Sequence, residues 1–284
     1  MNKLLKLVFF RLRKEKAPWV ELSIAIVLGL IVGCVYAYIG SSITTGDLVT
    51  VSVRNTILST FSPTYNVPTA LAIAGAVAFF HTEINYGTLR NQITSGYSRK
   101  QIFISYWIGV LALAGMILLA FLAADLFVSG WFLPLGFTAS NVGPFFMSIG
   151  FGIIETIAMI TLAYTLTHLI KSPVWPILIC ILYSGSSVIA NQILQLIFVS
   201  SNPNPTADEF RTFFNFMVFL PTAQSAAITS GNYSSFHDGL VTNITDPTYD
   251  YTLIYVVAIL GENILIFVAS FFGGLFYFDR HDLK

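Results

Sequence analysis

The chain has 284 residues, of which 55% are hydrophobic and 10% charged; 14 basic and 14 acidic side chains balance, and mean hydropathy is +0.76. A water-soluble domain of this size has too little polar surface to cover so much apolar side chain, which excludes a soluble enzyme and leaves an all-α polytopic membrane protein. The two cysteines, Cys34 and Cys180, both lie in apolar runs and read as buried thiols rather than as a disulfide or a metal site.

Residues 1–19 read as an interfacial amphipathic helix. Leu4, Leu5, Val8, Phe9 and Leu12 share one face at 100° per residue, while Lys3, Lys6, Arg13 and Lys14 gather on the other and Arg11 fits neither well. Such a helix lies in the headgroup plane of an anionic leaflet. The apolar run after it is too long for a signal-peptide core. Residues 20–284 carry six segments of bilayer-spanning length, at about 20–40, 65–82, 103–128, 145–169, 174–199 and 253–278. Pro63 and Pro68 predict an irregular start to the second, and Ser98 with Gln101 predicts a capping box at the start of the third.

With the N-terminus inside, all but Arg54 and Arg211 of the 14 Lys and Arg residues fall on inner segments. This bias predicts cytoplasmic termini, and Trp19, Trp107, Trp131 and Trp175 fall near span ends as an aromatic belt would place them. Residues 200–252 form a long outer segment whose hydrophobic middle is interrupted by Asn215, Pro221, Gln224 and Ser225. A re-entrant helix is expected there rather than a seventh crossing. Asn232 and Asn243 begin formal glycosylation sequons in the same loop.

No glycine-rich phosphate loop, nucleophile elbow or metal-ligand spacing occurs, so no catalytic residue, metal or bound cofactor is expected. Asp125, Glu155 and Glu262 fall within spans, with Glu155 and Glu262 at similar depth in the outer half and Asp125 approaching that level. Intramembrane carboxyls serve either as proton or cation contacts or as hydrogen-bonded links between helices. On the fifth span Cys180, Ser184, Ser187, Asn191 and Gln195 form a polar stripe that must face protein or a pathway. Gly29-x-x-x-Gly33 on the first span is a candidate dimer-packing motif.

Between the second and third spans lies a polar island, residues 83–101, EINYGTLRNQITSGYSRKQ. Gly87 and Gly96 punctuate a short helix, and Arg90, Arg99 and Lys100 are available to meet acidic groups on a partner. Arg99 and Lys100 also oppose the N-terminal dipole of the third span, which suggests a partner outside the helix. Glu83, then Gly87-Thr88-Leu89-Arg90-Asn91, then Gly96-Tyr97-Ser98-Arg99 entering a helix, resembles the permease subunits of ABC-2-type exporters. The layout of the rest agrees, most closely with the branch holding bacteriocin-immunity, lantibiotic-resistance and peptide-export permeases.

The resemblance implies that Glu83, Gly87, Thr88, Leu89, Arg90, Gly96, Ser98 and Arg99 form a coupling segment gripped by a separate ATPase. It also implies two such ATPase subunits that use ATP and Mg, a second permease copy or paralogue, and a peptide or hydrophobic cargo. Nucleic acid is not among the expected partners. The alternative reading is a proton-coupled secondary transporter working through Glu155 and Glu262.

Overall fold

Backbone amides in hydrocarbon have no water to bond, so long apolar runs close their hydrogen bonds internally as helices. The computed structural model describes residues 2–42, 52–61, 67–201, 207–230 and 252–280, and every regular element among them is helical. In chain order these are α1 (Asn2–Lys14), α2 (Lys16–Ser42), α3 (Val53–Thr60), α4 (Val67–Asn85), α5 (Thr88–Thr94) and α6 (Arg99–Phe132). There follow α7 (Val142–Ile170), α8 (Val174–Ser201), α9 (Ala207–Met217), α10 (Pro221–Ser230) and α11 (Thr252–Arg280). Six of them, α2, α4, α6, α7, α8 and α11, are long and apolar enough to cross a membrane.

Local chemistry sets several of the ends. Ser98 accepts from the Gln101 amide at 3.3 Å while its own N–H donates to the Gln101 side chain at 3.4 Å, so the capping box is formed and α6 starts at Arg99. Pro68 falls in the first turn of α4, where a missing N–H costs nothing; Pro63 lies outside the described residues. The apolar stretch after residue 207 breaks at a turn over 218–220, and Pro221 opens α10. The halves are 11 and 10 residues long, each too short to span. Asn232 and Asn243 lie outside the described residues.

Helix α6 is the hub, packing against α1, α2, α3, α4, α7 and α11. Its closest neighbour is α2. A Cβ built on Gly29 would stand 2.5 Å from the Phe121 carbonyl oxygen, and one on Gly33 2.8 Å from that of Asp125. The glycine pair is therefore used inside the chain, and the expected dimer-packing role gives way to the α2–α6 contact. The faces of α1 also differ from expectation. Leu4, Val8 and Leu12 are buried, with Val8 seated over Gly109 of α6, whereas Phe9 is 45% exposed. Cys180 is buried as expected, but Cys34 lies on the outward face of α2.

Hydrogen bonds between helices fasten α6, α7 and α11. Tyr164 donates to the Phe103 carbonyl at 2.9 Å, Trp107 Nε1 to Thr161 Oγ1 at 3.0 Å, and Thr165 to the Ser270 carbonyl at 2.9 Å. Trp107 thus points into the bundle, while Trp19, Trp131 and Trp175 are exposed. Such bonds average about 0.6 kcal/mol each in membranes, so they orient the helices more than they hold them. At the end of the bundle away from α5, the loop after α6 meets α3. The Val53 and Arg54 amides donate to Pro134 and Leu135 carbonyls at 3.0 and 3.3 Å, and Arg54 Nη2 reaches the Ser230 carbonyl of α10 at 3.0 Å.

Candidate functional site

The island folds as α4–turn–α5–turn–α6. Gly87 (φ +64°) and Gly96 (φ +88°) both sit in the left-handed region, which a β-carbon disfavours, and they set α5 back against the bundle. Leu89 and Gln92 of α5 are buried, whereas Arg90, Gly96, Ser98 and Lys100 are exposed and Thr88 and Arg99 are half-buried.

Glu83, at the end of α4, is only 1% exposed, and its Oε2 gathers donors from three other helices. Arg11 Nη1 of α1 forms an ion pair with it, and the Tyr106 hydroxyl of α6 donates at 2.9 Å. The Thr88 hydroxyl of α5 lies within reach of this carboxylate and, at 2.8 Å, of the Glu83 carbonyl. Gln92 Nε2 in turn donates to the Tyr106 hydroxyl at 2.7 Å. One buried carboxylate therefore ties α1, α4, α5 and α6 together. Glu15 sits half-buried nearby. Burial holds its carboxyl above the usual range, Glu83's charge adds to that, and Arg11 opposes it.

Beneath this node lies an aromatic core. His168 is enclosed by Phe80, Phe103, Tyr164 and Phe278, with ring centroids 4.1 to 5.2 Å away. Nothing in the sequence marks Tyr106 or Gln92 for this node, and Arg11 carries one sign only, its poor fit to either face of the amphipathic wheel.

Arg99 and Lys100 are not both free for a partner, as the island alone suggested. Arg99 Nη1 donates to the Asp279 carbonyl at 3.3 Å, and Lys100 Nζ lies 3.6 Å from the Asp279 carboxylate. The C-terminal end of α11, where carbonyls carry partial negative charge, receives the two cations that oppose the α6 dipole. Arg90 forms no ion pair among the described residues.

A second cluster joins α7, α8, α10 and α11. Glu262 accepts from the Tyr183 hydroxyl and from Gln224 Nε2, the latter at 2.7 Å. Glu155 is 5% exposed, hydrogen-bonds Ser225 and interacts electrostatically with Glu262, while its Oε2 has no hydrogen-bond partner among the described residues. Asp125 does not join the pair. It lies against Gly33 of α2, fully buried, with neither carboxyl oxygen hydrogen-bonded among the described residues. Glu21 of α2 is a further intramembrane acid that sequence reasoning passed over; its Oε2 stands 2.5 Å from where a Cβ on Gly75 would be.

The polar stripe of α8 faces protein. Ser187, Asn191 and Gln195 are buried, Ser184 is half-buried, and Thr222 of α10 donates to the Ser187 carbonyl at 3.4 Å. The opposite flank exposes Leu182, Ile189 and Leu196. Among the described residues, no group of three or more His, Cys, Asp and Glu side chains converges on a metal-sized site.

A family model described as "Protein of unknown function (DUF2705)" matches residues 22–284. No curated protein and no solved structure matches the chain.

Proposed function

We propose that this chain, which belongs to the DUF2705 family, is the membrane-spanning permease subunit of an ABC-2-type exporter driven by a separate ATPase. The observation that carries the reading is the Glu83 node, which links the surface helix α5 to three other helices through hydrogen bonds to one buried carboxylate. In this reading α1 is the interfacial helix, α5 the coupling helix, and α9 with α10 the re-entrant segment. Both termini are cytoplasmic in a bacterial cell membrane. Two ATPase subunits bind ATP and Mg; this chain binds neither. Arg90 meets acidic groups on the ATPase, and movement of α5 passes through Ser98 into α6.

The cargo is an amphipathic peptide or hydrophobic compound, because the exposed faces of the spans are mostly apolar. The pathway forms with a second permease copy or paralogue, through faces other than Gly29 and Gly33. The test is to co-express the chain with a candidate ATPase subunit and to measure assembly and ATPase activity of the purified complex. Arg90→Glu is expected to abolish cargo-stimulated turnover or to release the ATPase. Unchanged assembly and turnover would reject the coupling role.

A second reading rests on the proximity of Glu155 to Glu262, which suits a proton-coupled carrier. It predicts uptake or efflux driven by a pH gradient with no ATPase present, lost in Glu155→Gln and in Glu262→Gln.

A further inference from the structure

Helices α1 and α2 join at Glu15, and this elbow borders an open groove of about 750 Å³ whose chemistry changes along its length. One end is cationic, with the exposed side chains of Arg13, Lys14 and Lys16. The other runs along the outward face of α2 over Val20, Ile24 and Val27, which are 56%, 43% and 54% exposed. Trp19 fixes the corner: its indole N–H donates to the Arg13 carbonyl at 2.9 Å, while Ser23 Oγ donates to the Trp19 carbonyl at 2.9 Å.

We propose that this elbow is a binding site for one anionic phospholipid, with its phosphate between Arg13, Lys14 and Lys16 and an acyl chain along Val20, Ile24 and Val27. Charge complementarity carries the assignment. Three cations converge on the mouth, and among the described residues none of them is paired with an acid. Glu15, the one acid in the wall, interacts with Arg11 and Glu83 instead. The ammonium of Lys14 is braced 5.9 Å over the Phe10 ring, which leaves its remaining donors for an anion. A free phosphate ion would use only the cationic end. The apolar floor lies on a membrane-spanning helix and extends nearly two turns from the mouth, which calls for a ligand with a hydrocarbon tail.

The site is also placed to bear on the Glu83 node. Lys14 and Lys16 flank Glu15, so a bound anion would fix the elbow one turn from Arg11. None of this depends on what the protein transports.

The test uses the full-length protein in detergent, with lipid adducts counted by native mass spectrometry. Phosphatidylglycerol is expected to give one tight adduct, phosphatidylcholine a weaker one, and millimolar inorganic phosphate should fail to displace the lipid. Substituting Arg13→Gln, Lys14→Gln and Lys16→Gln, singly and together, should weaken the adduct about fivefold for each charge removed. Equal affinity for the two lipids, affinity unchanged in the triple variant, or displacement by phosphate would each overturn the assignment.

A second measurement does not depend on the charge variants folding. In vesicles, brominated phosphatidylglycerol should quench Trp19 fluorescence, read as the difference from Trp19→Phe, more than brominated phosphatidylcholine does. Equal quenching by the two lipids would overturn it as well.

Discussion

Removing the charge from Glu83 tests the node most directly. Glu83→Gln keeps the volume of the side chain and can still accept from Tyr106 and Thr88. It leaves the Arg11 guanidinium without its ion-pair partner, at a side-chain exposure of only 26%, with Glu15 the one acid still acting on it. Breaking a buried ion pair by deleting one partner costs about 3–5 kcal/mol, and the residual exposure of Arg11 puts this case near 3. Because α1 is otherwise held to α6 by Leu4, Val8 and Leu12, the loss should appear as local opening of α1 rather than as global unfolding. Hydrogen–deuterium exchange in detergent would read it as a roughly hundredfold drop in protection of the α1 amides near Arg11. Arg11→Gln combined with Glu83→Gln should cost less than the sum of the two single changes, by at least about 1 kcal/mol. Equal protection of α1 in wild type and Glu83→Gln, or strict additivity in the double variant, would refute the reasoning.

Further outcomes follow from the same contacts. Gly29→Ala should destabilise the fold by about 1–3 kcal/mol through overpacking against Phe121, while Gly115→Ala, whose Cβ would meet open space, should be close to neutral; unfolding by SDS titration compares the two. Ser98→Ala should cost about 1 kcal/mol and fray the first turn of α6, visible as faster amide exchange at Lys100 and Gln101. Glu15 holds its proton more tightly in the folded chain, so its contribution is full below the ordinary carboxylate pKa and is lost as pH rises through the raised folded value. Glu15→Gln should therefore raise the thermal midpoint at pH 7 and leave it unchanged near about pH 4, and a uniform shift at both pH values would contradict this.

How far the sequence could be read depends on whether a feature is local. Apolar runs, the Ser98–Gln101 box and the glycines that bound the short helix of the island are set by residues within a few positions of one another, and all are legible in the sequence. The Arg11–Glu83 pair joins residues 72 apart, and a chain whose spans are apolar on nearly every face gives little hint of which side meets which neighbour. Register along a span predicts depth but not azimuth. Hence the interaction of Glu155 with Glu262 is compatible with their expected similar depth, while the expected approach of Asp125 to that level says nothing of its facing Gly33 of α2. The same blindness left Cys34 assigned to the interior and Gly29 and Gly33 to a second copy.

Helix α6 has a reach that no other element matches. Its 34 residues extend about 51 Å, against roughly 30 Å of hydrocarbon, and no proline interrupts them. One end is clamped by the Ser98 cap and Asp279. The other runs into the loop that hydrogen-bonds α3, from which Arg54 touches the last residue of α10. A stiff rod fixed at both ends cannot shift at one without disturbing the other. A displacement of an ångström at Ser98 must therefore be taken up at α3 and α10, or absorbed by breaking the bonds at Pro134 and Leu135. Those two backbone bonds, with the packing of α3 on α6, are the described contacts through which movement of α6 would reach α3 and, through Arg54, α10.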